Sequence, residues 1–200
     1  MTVAEFGKLK HRILRQLEEQ LPANLTYHNA WHTADVLEQA EEIAKQEGIA
    51  DEDEMMLLKV ASLFHDNGFL QVYQGHEERS CDIMRVQMQS VFNNAALKKI
   101  CRLIMATKIP QTPKTHLEKI ICDADLDYLG RNDFKPISNA LRLEFLAYKI
   151  VKNDREWEEK QINFFEQHHY FTTASSNNRN TEKQQRLAEL KQNFSLQYGL

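Results

Sequence analysis

The feature that most constrains the fold is an apolar run that ends in an adjacent histidine and aspartate. Met55 to Phe64 is apolar at nearly every position, which predicts a buried helix, and His65-Asp66-Asn67-Gly68 follows at once. Ionisable groups at the edge of an apolar wall are costly to bury without a partner. Adjacent residues on a helix do not share a face, so His65 and Asp66 converge only on a point beyond the helix end, where a bound cation would lie.

The rest of the chain predicts further helices. Thr2…Glu5 and Thr115…Glu118 have the spacing of capping boxes. Apolar residues recur at helical spacing after these caps and elsewhere. Helices are predicted over roughly 3–21, 27–47, 52–64, 77–91, 94–107, 116–129, 136–151, 154–166 and 181–194. The segment 172–180 is rich in Ser, Thr and Asn and is predicted to be a mobile loop, and no stretch has the alternating pattern of a strand. We therefore expect an all-α bundle of about eight or nine helices.

Composition bounds the class of protein. Two hundred residues suit one domain with a sizeable core, and 6 Gly and 4 Pro favour long helices. A net charge of −4 gives no basic surface for nucleic acid. No apolar run approaches the roughly 18 residues of a membrane span, and the charged first ten residues do not resemble a signal peptide. Cys81, Cys101 and Cys122 are widely spaced and are expected to be reduced core thiols, so a cytoplasmic protein is expected.

Histidines and aspartates interrupt apolar patterns in three separate predicted helices. His28 and His32 are four residues apart, and share a face if the helix has already begun there. Asp123 and Asp125 interrupt a later apolar pattern. A single helical histidine is more often a surface residue, and acids beside a turn are often caps. Together, imidazole and carboxylate groups suit a divalent metal ion such as Mn, Fe, Co, Ni or Zn, with Mg as a further candidate.

The order of these residues resembles the HD-domain superfamily of metal-dependent phosphohydrolases. The matching residues are His32, His65, Asp66 and Asp125, within Tyr27-His28-Asn29, Leu63-Phe64-His65-Asp66 and Ala124-Asp125-Leu126. The resemblance covers about residues 25–133, and a helical extension would follow over 134–200. It implies an HD-like helical bundle in which those four residues hold one divalent metal ion. Asp125 is chosen over Asp123 because the last ligand of the family usually stands in an Ala-Asp-x-Leu-like setting.

Two further resemblances concern catalytic residues. Tyr27-His28-Asn29-x-x-His32 is similar to the opening motif of cyclic-nucleotide phosphodiesterases, which implies that His28 is a general acid. The alternative is that His28 only packs or forms a hydrogen bond near the helix start. The longer phosphodiesterase pattern after His65-Asp66 is missing. Related HD proteins often carry a His-Glu pair like His76-Glu77, where Glu77 would position or deprotonate water. Alternatively, Glu77 is a first-turn acid favoured by the helix dipole.

Two basic residues are candidates for substrate binding. Lys108 and Arg131 fall at predicted helix ends, where they would hold a phosphate or, alternatively, be solvated. The region 104–108 has no histidine, which favours a single metal ion. The pattern assigns no role to His76, Asp123 or His169.

The leading hypothesis is a metal-dependent phosphohydrolase, either a phosphomonoesterase or a phosphodiesterase. Its expected partner is a small phosphate ester, most plausibly a nucleotide, with neither nucleic acid nor membrane involved. Two alternatives remain open, namely a non-catalytic HD-fold ligand-sensing module and a cyclic-nucleotide phosphodiesterase. The oligomeric state is not predicted.

Overall fold

A computed structural model describes residues 1–199, so the last position of the predicted domain, Leu200, lies outside it. Over these residues the chain forms nine α-helices and two short 3-10 turns, with no strand. The helices are α1 Val3–Gln20, α2 Ala30–Gln46, α3 Glu52–Phe64, α4 His76–Met88, α5 Asn94–Ala106, α6 His116–Asp125, α7 Phe134–Ala147, α8 Asp154–Gln167 and α9 Thr173–Tyr198. The 3-10 turns are Asn67–Leu70 and Asp127–Gly130. The predicted all-α bundle is confirmed.

Local capping explains where several helices begin. The Thr2 and Thr115 hydroxyls accept backbone N–H groups three residues on, and Glu5 and Glu118 return the interaction, as the sequence predicts. Asp51 and Asn93 cap α3 and α5 in the same manner. Each cap supplies acceptors for N–H groups that have no partner inside the helix.

The core forms where α2 packs against α3 and α6 while α5 packs against α3. Fully buried side chains from these helices include Val36, Leu58, Ile100 and Ile120. The three cysteines are free and buried, as predicted. None of the described helices combines the length and apolar character that crossing a membrane requires. A second apolar cluster joins α7 and α8 to the chain around Tyr27 and the second 3-10 turn.

The start of α2 differs from the sequence-based prediction. The Asn29 side chain accepts the N–H groups of Trp31 and His32, so α2 begins at Ala30 and not at Tyr27. His28 therefore precedes the helix and does not share a helical face with His32.

The predicted mobile loop over 172–180 is wrong, because this segment is the first part of α9. Ser and Asn have modest helix propensity, which is why the composition suggested a loop. A local cap and a tertiary contact override that propensity. The Thr172 hydroxyl caps α9 by accepting the N–H of Ser175, and Ala174 donates its N–H to Glu47 at the end of α2. Ser175 is itself buried.

Candidate metal centre

Three helices bring their ends to one buried point. His32 lies in the first turn of α2, His65 follows the last residue of α3, and Asp125 is the last residue of α6. Asp66 directly follows His65. His32, His65 and Asp66 are 5% exposed or less, and the contacts of α2 with α3 and α6 hold them together.

The side chains of this group face one another at ligand-like distances. One ligand atom from each of His32, His65 and Asp66 lies within 4.8 Å of the others. The two Nε2 atoms of His32 and His65 are 3.4 Å apart. Asp66 Oδ2 is 3.5 Å from His32 Nε2 and 3.2 Å from His65 Nε2. Asp125 Oδ1 is 3.2 Å from His32 Nε2 and 3.5 Å from His65 Nε2. A cation with bonds of about 2.1 Å places neighbouring ligands about 3.0–3.5 Å apart, which these separations match.

Hydrogen bonding outside the group shows that the inner nitrogen of the neutral His65 ring is an acceptor. His65 Nδ1 lies 2.8 Å from the Ser62 carbonyl oxygen, which can only accept, so Nδ1 carries the hydrogen. In the neutral ring, the lone pair of Nε2 then points at the aspartate oxygens. Asp66 Oδ2 is buried and has no hydrogen-bond donor in the described chain. Buried acceptors that face only one another need a positive charge between them, so a His32–His65–Asp66 group that could hold a metal ion fits the arrangement.

Proton affinities in the metal-free protein reflect the same need for positive charge. Burial alone would lower the pKa of His65, but Asp66 and Asp125 hold it well above its ordinary value. The pKa values of the two aspartates shift in the direction opposite to that of His65. Burial would raise the pKa of each, yet the facing imidazoles lower that of Asp66 far below its usual range and that of Asp125 to about 2. A metal ion would supply the charge that a proton supplies here.

His28 lies beside this centre and is held by a residue that the sequence analysis missed. Its Nδ1 is hydrogen-bonded to Oε1 of Glu144, and its backbone N–H donates to Glu144 Oε2 at 3.0 Å. Glu144 on α7 is completely buried and also accepts the Tyr27 N–H and the Tyr73 hydroxyl. The His28 ring stacks on Phe69 with centroids 4.3 Å apart. These contacts fix the ring and leave Nε2 as its remaining polar atom.

His76 approaches the outer oxygen of Asp66, and Glu77 in turn approaches His76. His76 Nδ1 bonds the Tyr73 carbonyl oxygen at 3.1 Å, and its Nε2 is 3.5 Å from Asp66 Oδ1 and 3.6 Å from Glu77 Oε1. Glu77 is 7% exposed, so it is more enclosed than a first-turn acid facing solvent. Both residues open α4 close to the metal centre.

Gly68 permits this close approach of α4. A Cβ atom at Gly68 would lie 1.9 Å from the His76 carbonyl oxygen, which no side chain tolerates. Its N–H donates to the buried Ser80 hydroxyl at 2.7 Å. The glycine after His65-Asp66 therefore docks the start of α4 directly on the ligand-bearing segment.

The other sequence-based candidates lie elsewhere. Lys108 pairs with Glu78 at the surface, and Arg131 binds Asp35 at 2.8 Å and Asp133 at 2.7 Å. Neither cation lines the cavity beside the metal centre. Their charges are thus compensated by carboxylates of the chain.

Asp123 and His169 also face away from the centre. Asp123 accepts the N–H groups of Phe171 and Thr172 and the Thr172 hydroxyl, which fixes the connection between α8 and α9. His169 lines a small separate pocket of about 100 Å³ and its ring packs edge-on against Phe171. Although Asp123 is only two residues from Asp125, its contacts give it a structural role.

A cavity of about 270 Å³ opens beside the metal centre. Asp66, Asp125, His28, His76 and Glu77 line its charged part. The remaining wall is largely apolar and comes mainly from the second 3-10 turn, α7 and α8. A ligand in this cavity can contact the candidate metal-binding residues Asp66 and Asp125 and also His28.

Comparison with known proteins gives no assignment. No protein-family model, no curated protein and no solved structure matches the chain. Function is therefore inferred from the residues of this chain alone.

Proposed function

We propose that the protein is a metal-dependent phosphohydrolase of the HD-domain type that cleaves a phosphate ester of a nucleotide or similar small molecule. The observation that carries this proposal is the convergence of His32, His65, Asp66 and Asp125, from three helices, on one ion-sized gap at the edge of a cavity. Along the chain these residues follow the order His, His-Asp, Asp, which is the order that resembles the HD-domain superfamily.

Two imidazole nitrogens and two carboxylate oxygens suit one divalent ion from Mn, Fe, Co, Ni, Zn and Mg. Thiolate ligands, which structural zinc often requires, are excluded at this point because the three cysteines lie in the apolar core. When bound, such an ion lowers the pKa of a coordinated water toward about 7 and neutralises charge on a phosphate oxygen.

The neighbouring residues supply proton transfer and orientation. His28 Nδ1 is held by Glu144, so in the protonated ring Nε2 carries the proton that is donated to the leaving alcohol oxygen. Burial alone would lower the pKa of His28, and the Glu144 hydrogen bond together with Asp66 and Asp125 raises it above its ordinary value. The ring is thus protonated over a wider pH range, as a general acid requires. Asp66 and Glu77 border the cavity and are the carboxylates that orient the attacking water.

Metal-dependent hydrolysis of mononucleotides and cyclic nucleotides tests this proposal. Turnover by the parent protein, Asp66→Asn and His11→Ala is measured in the presence of each candidate metal. His11→Ala is the control, because His11 is an exposed histidine of α1. We expect turnover that Asp66→Asn lowers at least about 100-fold and His11→Ala leaves unchanged. Turnover confined to cyclic nucleotides would favour the phosphodiesterase alternative. Nucleotide binding without turnover under any metal would instead favour a ligand-sensing module.

A further inference from the structure

The cavity beside the metal centre has a charged end and an aromatic end. Phe145 of α7 and Trp157, Phe164 and Phe165 of α8 lie on the wall that the metal ligands do not form. Trp157 is 6% exposed and packs edge-on against Phe145, with ring centroids 5.5 Å apart. Such walls favour a flat apolar group through burial and ring packing. A substrate whose phosphate lies at the metal centre would therefore place its organic part among these rings.

Positive charge is scarce along the same cavity. Lys160 is the one Lys or Arg among its described lining residues, and its side chain is exposed. Asp66, Glu77 and Asp125 are carboxylates on the opposite part of the wall. Lys108 and Arg131, the substrate-binding candidates from the sequence, are paired with carboxylates outside the cavity. A chain of two or three phosphates would bring negative charge that the cavity does not compensate.

The volume limits the occupant as well. About 270 Å³ lies just below the roughly 300–1,000 Å³ typical of ligand pockets. That space suits one ring system with its ester linkage and leaves no room for an oligonucleotide inside the cavity. The side-chain amide of Gln161 borders the space and donates to the Ser138 hydroxyl, so its orientation is fixed. Its carbonyl oxygen is an acceptor available to a polar edge of the ring.

From these observations we infer that the substrate carries a single phosphate and one flat aromatic ring system, and that polyphosphate chains are poor substrates. The inference rests on the proposed phosphohydrolase function and narrows it to monophosphate esters of aromatic-bearing alcohols. A nucleoside monophosphate has this chemistry.

AMP, ribose 5-phosphate and ADP form a matched set for the test. AMP and ribose 5-phosphate share the same 5′-phosphate ester and differ in the aromatic base, whereas ADP adds one phosphate. We expect kcat/KM for AMP to exceed that for ribose 5-phosphate by about 10- to 100-fold, the range of one base stacked on aromatic side chains. ADP should be at least about 10-fold poorer than AMP. Trp157→Ala should lower kcat/KM for AMP by a larger factor than kcat/KM for ribose 5-phosphate, and should thereby remove most of the AMP preference. Phe145→Leu, at a half-buried position, repeats the test if Trp157→Ala does not fold.

A binding measurement separates failure of this inference from failure of the proposed function. The chain has two tryptophans, so Trp31→Phe leaves Trp157 as the single fluorophore in the cavity wall. Turnover that requires Asp66 but is equal for ribose 5-phosphate, or higher for ADP, overturns the inference and leaves the hydrolase proposal intact. No turnover, with Trp157 fluorescence quenched more strongly by AMP than by ADP, supports the ligand class and ends the hydrolase proposal. If neither turnover nor fluorescence quenching is observed, the inferred ligand class and the hydrolase proposal are both overturned.

Discussion

Glu144 binds His28 through both its backbone and its ring, although 116 residues separate them in the chain. The carboxylate is buried in the last turn of α7, and its other partners are the Tyr27 N–H and the Tyr73 hydroxyl. Since one face of the His28 ring is stacked on Phe69, the Glu144 contact decides which nitrogen faces the cavity. Glu144 is therefore assigned as a positioning residue for the proposed general acid.

Glu144→Gln should shift the pH profile of the proposed activity. The substitution keeps an oxygen for the backbone N–H groups but removes the charge that raises the pKa of His28. A bound metal ion would offset Asp66 and Asp125, so Glu144 is the carboxylate whose effect on His28 persists in the loaded enzyme. Activity that depends on protonated His28 falls as pH rises through its pKa, and this falling limb should move to lower pH in the variant. Glu159→Gln, on the exposed face of α8, is the control; an unshifted limb in Glu144→Gln would remove the assigned role.

The same pair should contribute a pH-dependent part of the stability. Burial alone would raise the pKa of Glu144, but the ring and charge of His28 together with the His28 and Tyr27 N–H groups lower it. The contribution of Glu144 to stability is therefore present above about 4.3 and lost as pH falls through the folded value. The pKa of His28 is raised, so its contribution is present below about 6.5 and lost as pH rises through the folded value. The difference in unfolding free energy between the parent and Glu144→Gln should be largest between these limits. Urea unfolding of metal-free protein at several pH values measures it, and a difference independent of pH would contradict the pairing.

Asp123 and Asp125 should separate stability from metal binding. Asp123 accepts hydrogen bonds from three donor groups of Phe171 and Thr172, whereas Asp125 Oδ1 faces the His32 and His65 imidazoles. Asp123→Asn should lower the unfolding free energy by about 1–3 kcal/mol and leave metal content unchanged. Asp125→Asn should weaken metal binding at least about 10-fold. Thermal unfolding and metal analysis of both variants check this, and metal loss in Asp123→Asn alone would reverse the assignment.

Gly68→Ala should disrupt the entry to α4. The added Cβ would meet the His76 carbonyl oxygen at 1.9 Å, so the start of α4 must move away from Asp66. A loss of about 1–3 kcal/mol in unfolding free energy is expected, together with weaker activity. Gly7→Ala is the control, because a Cβ there meets nothing within 4 Å and alanine is preferred in a helix interior. Equal stability of Gly68→Ala and the parent would show that the contact is not needed.

The sequence predicted the helical class and its principal caps because both depend on local residue patterns. The spacing of Thr115 and Glu118, for example, is sufficient to specify a capping box. Glu144 could not be predicted in this manner, since one acid among the apolar positions of a helix has no local signal for a partner so distant in sequence. The local sequence shows only a glutamate between Leu143 and Phe145 on an amphipathic helix, which does not indicate its partner.

The prediction for 172–180 failed for the converse reason. Local propensity favoured a loop, whereas the Asp123 carboxylate and the Glu47 side chain bind the backbone at the entry to α9 and favour the helix. Arg131 also has a partner that is distant in sequence, because Asp35 on α2 binds its guanidinium at 2.8 Å. The phosphate-binding role suggested by its position at a helix end stays a prediction.

Metal stoichiometry of protein purified without chelator tests the central claim most directly. The parent and His11→Ala are expected to hold about one equivalent of a divalent ion by elemental analysis, while His65→Ala holds a small fraction of that amount. Titration of stripped protein with Mn²⁺ should show the same loss of affinity in His65→Ala. A stripped parent that binds Mn²⁺, Zn²⁺ and the other candidate ions no better than His65→Ala would contradict the claim that His32, His65, Asp66 and Asp125 form a metal centre.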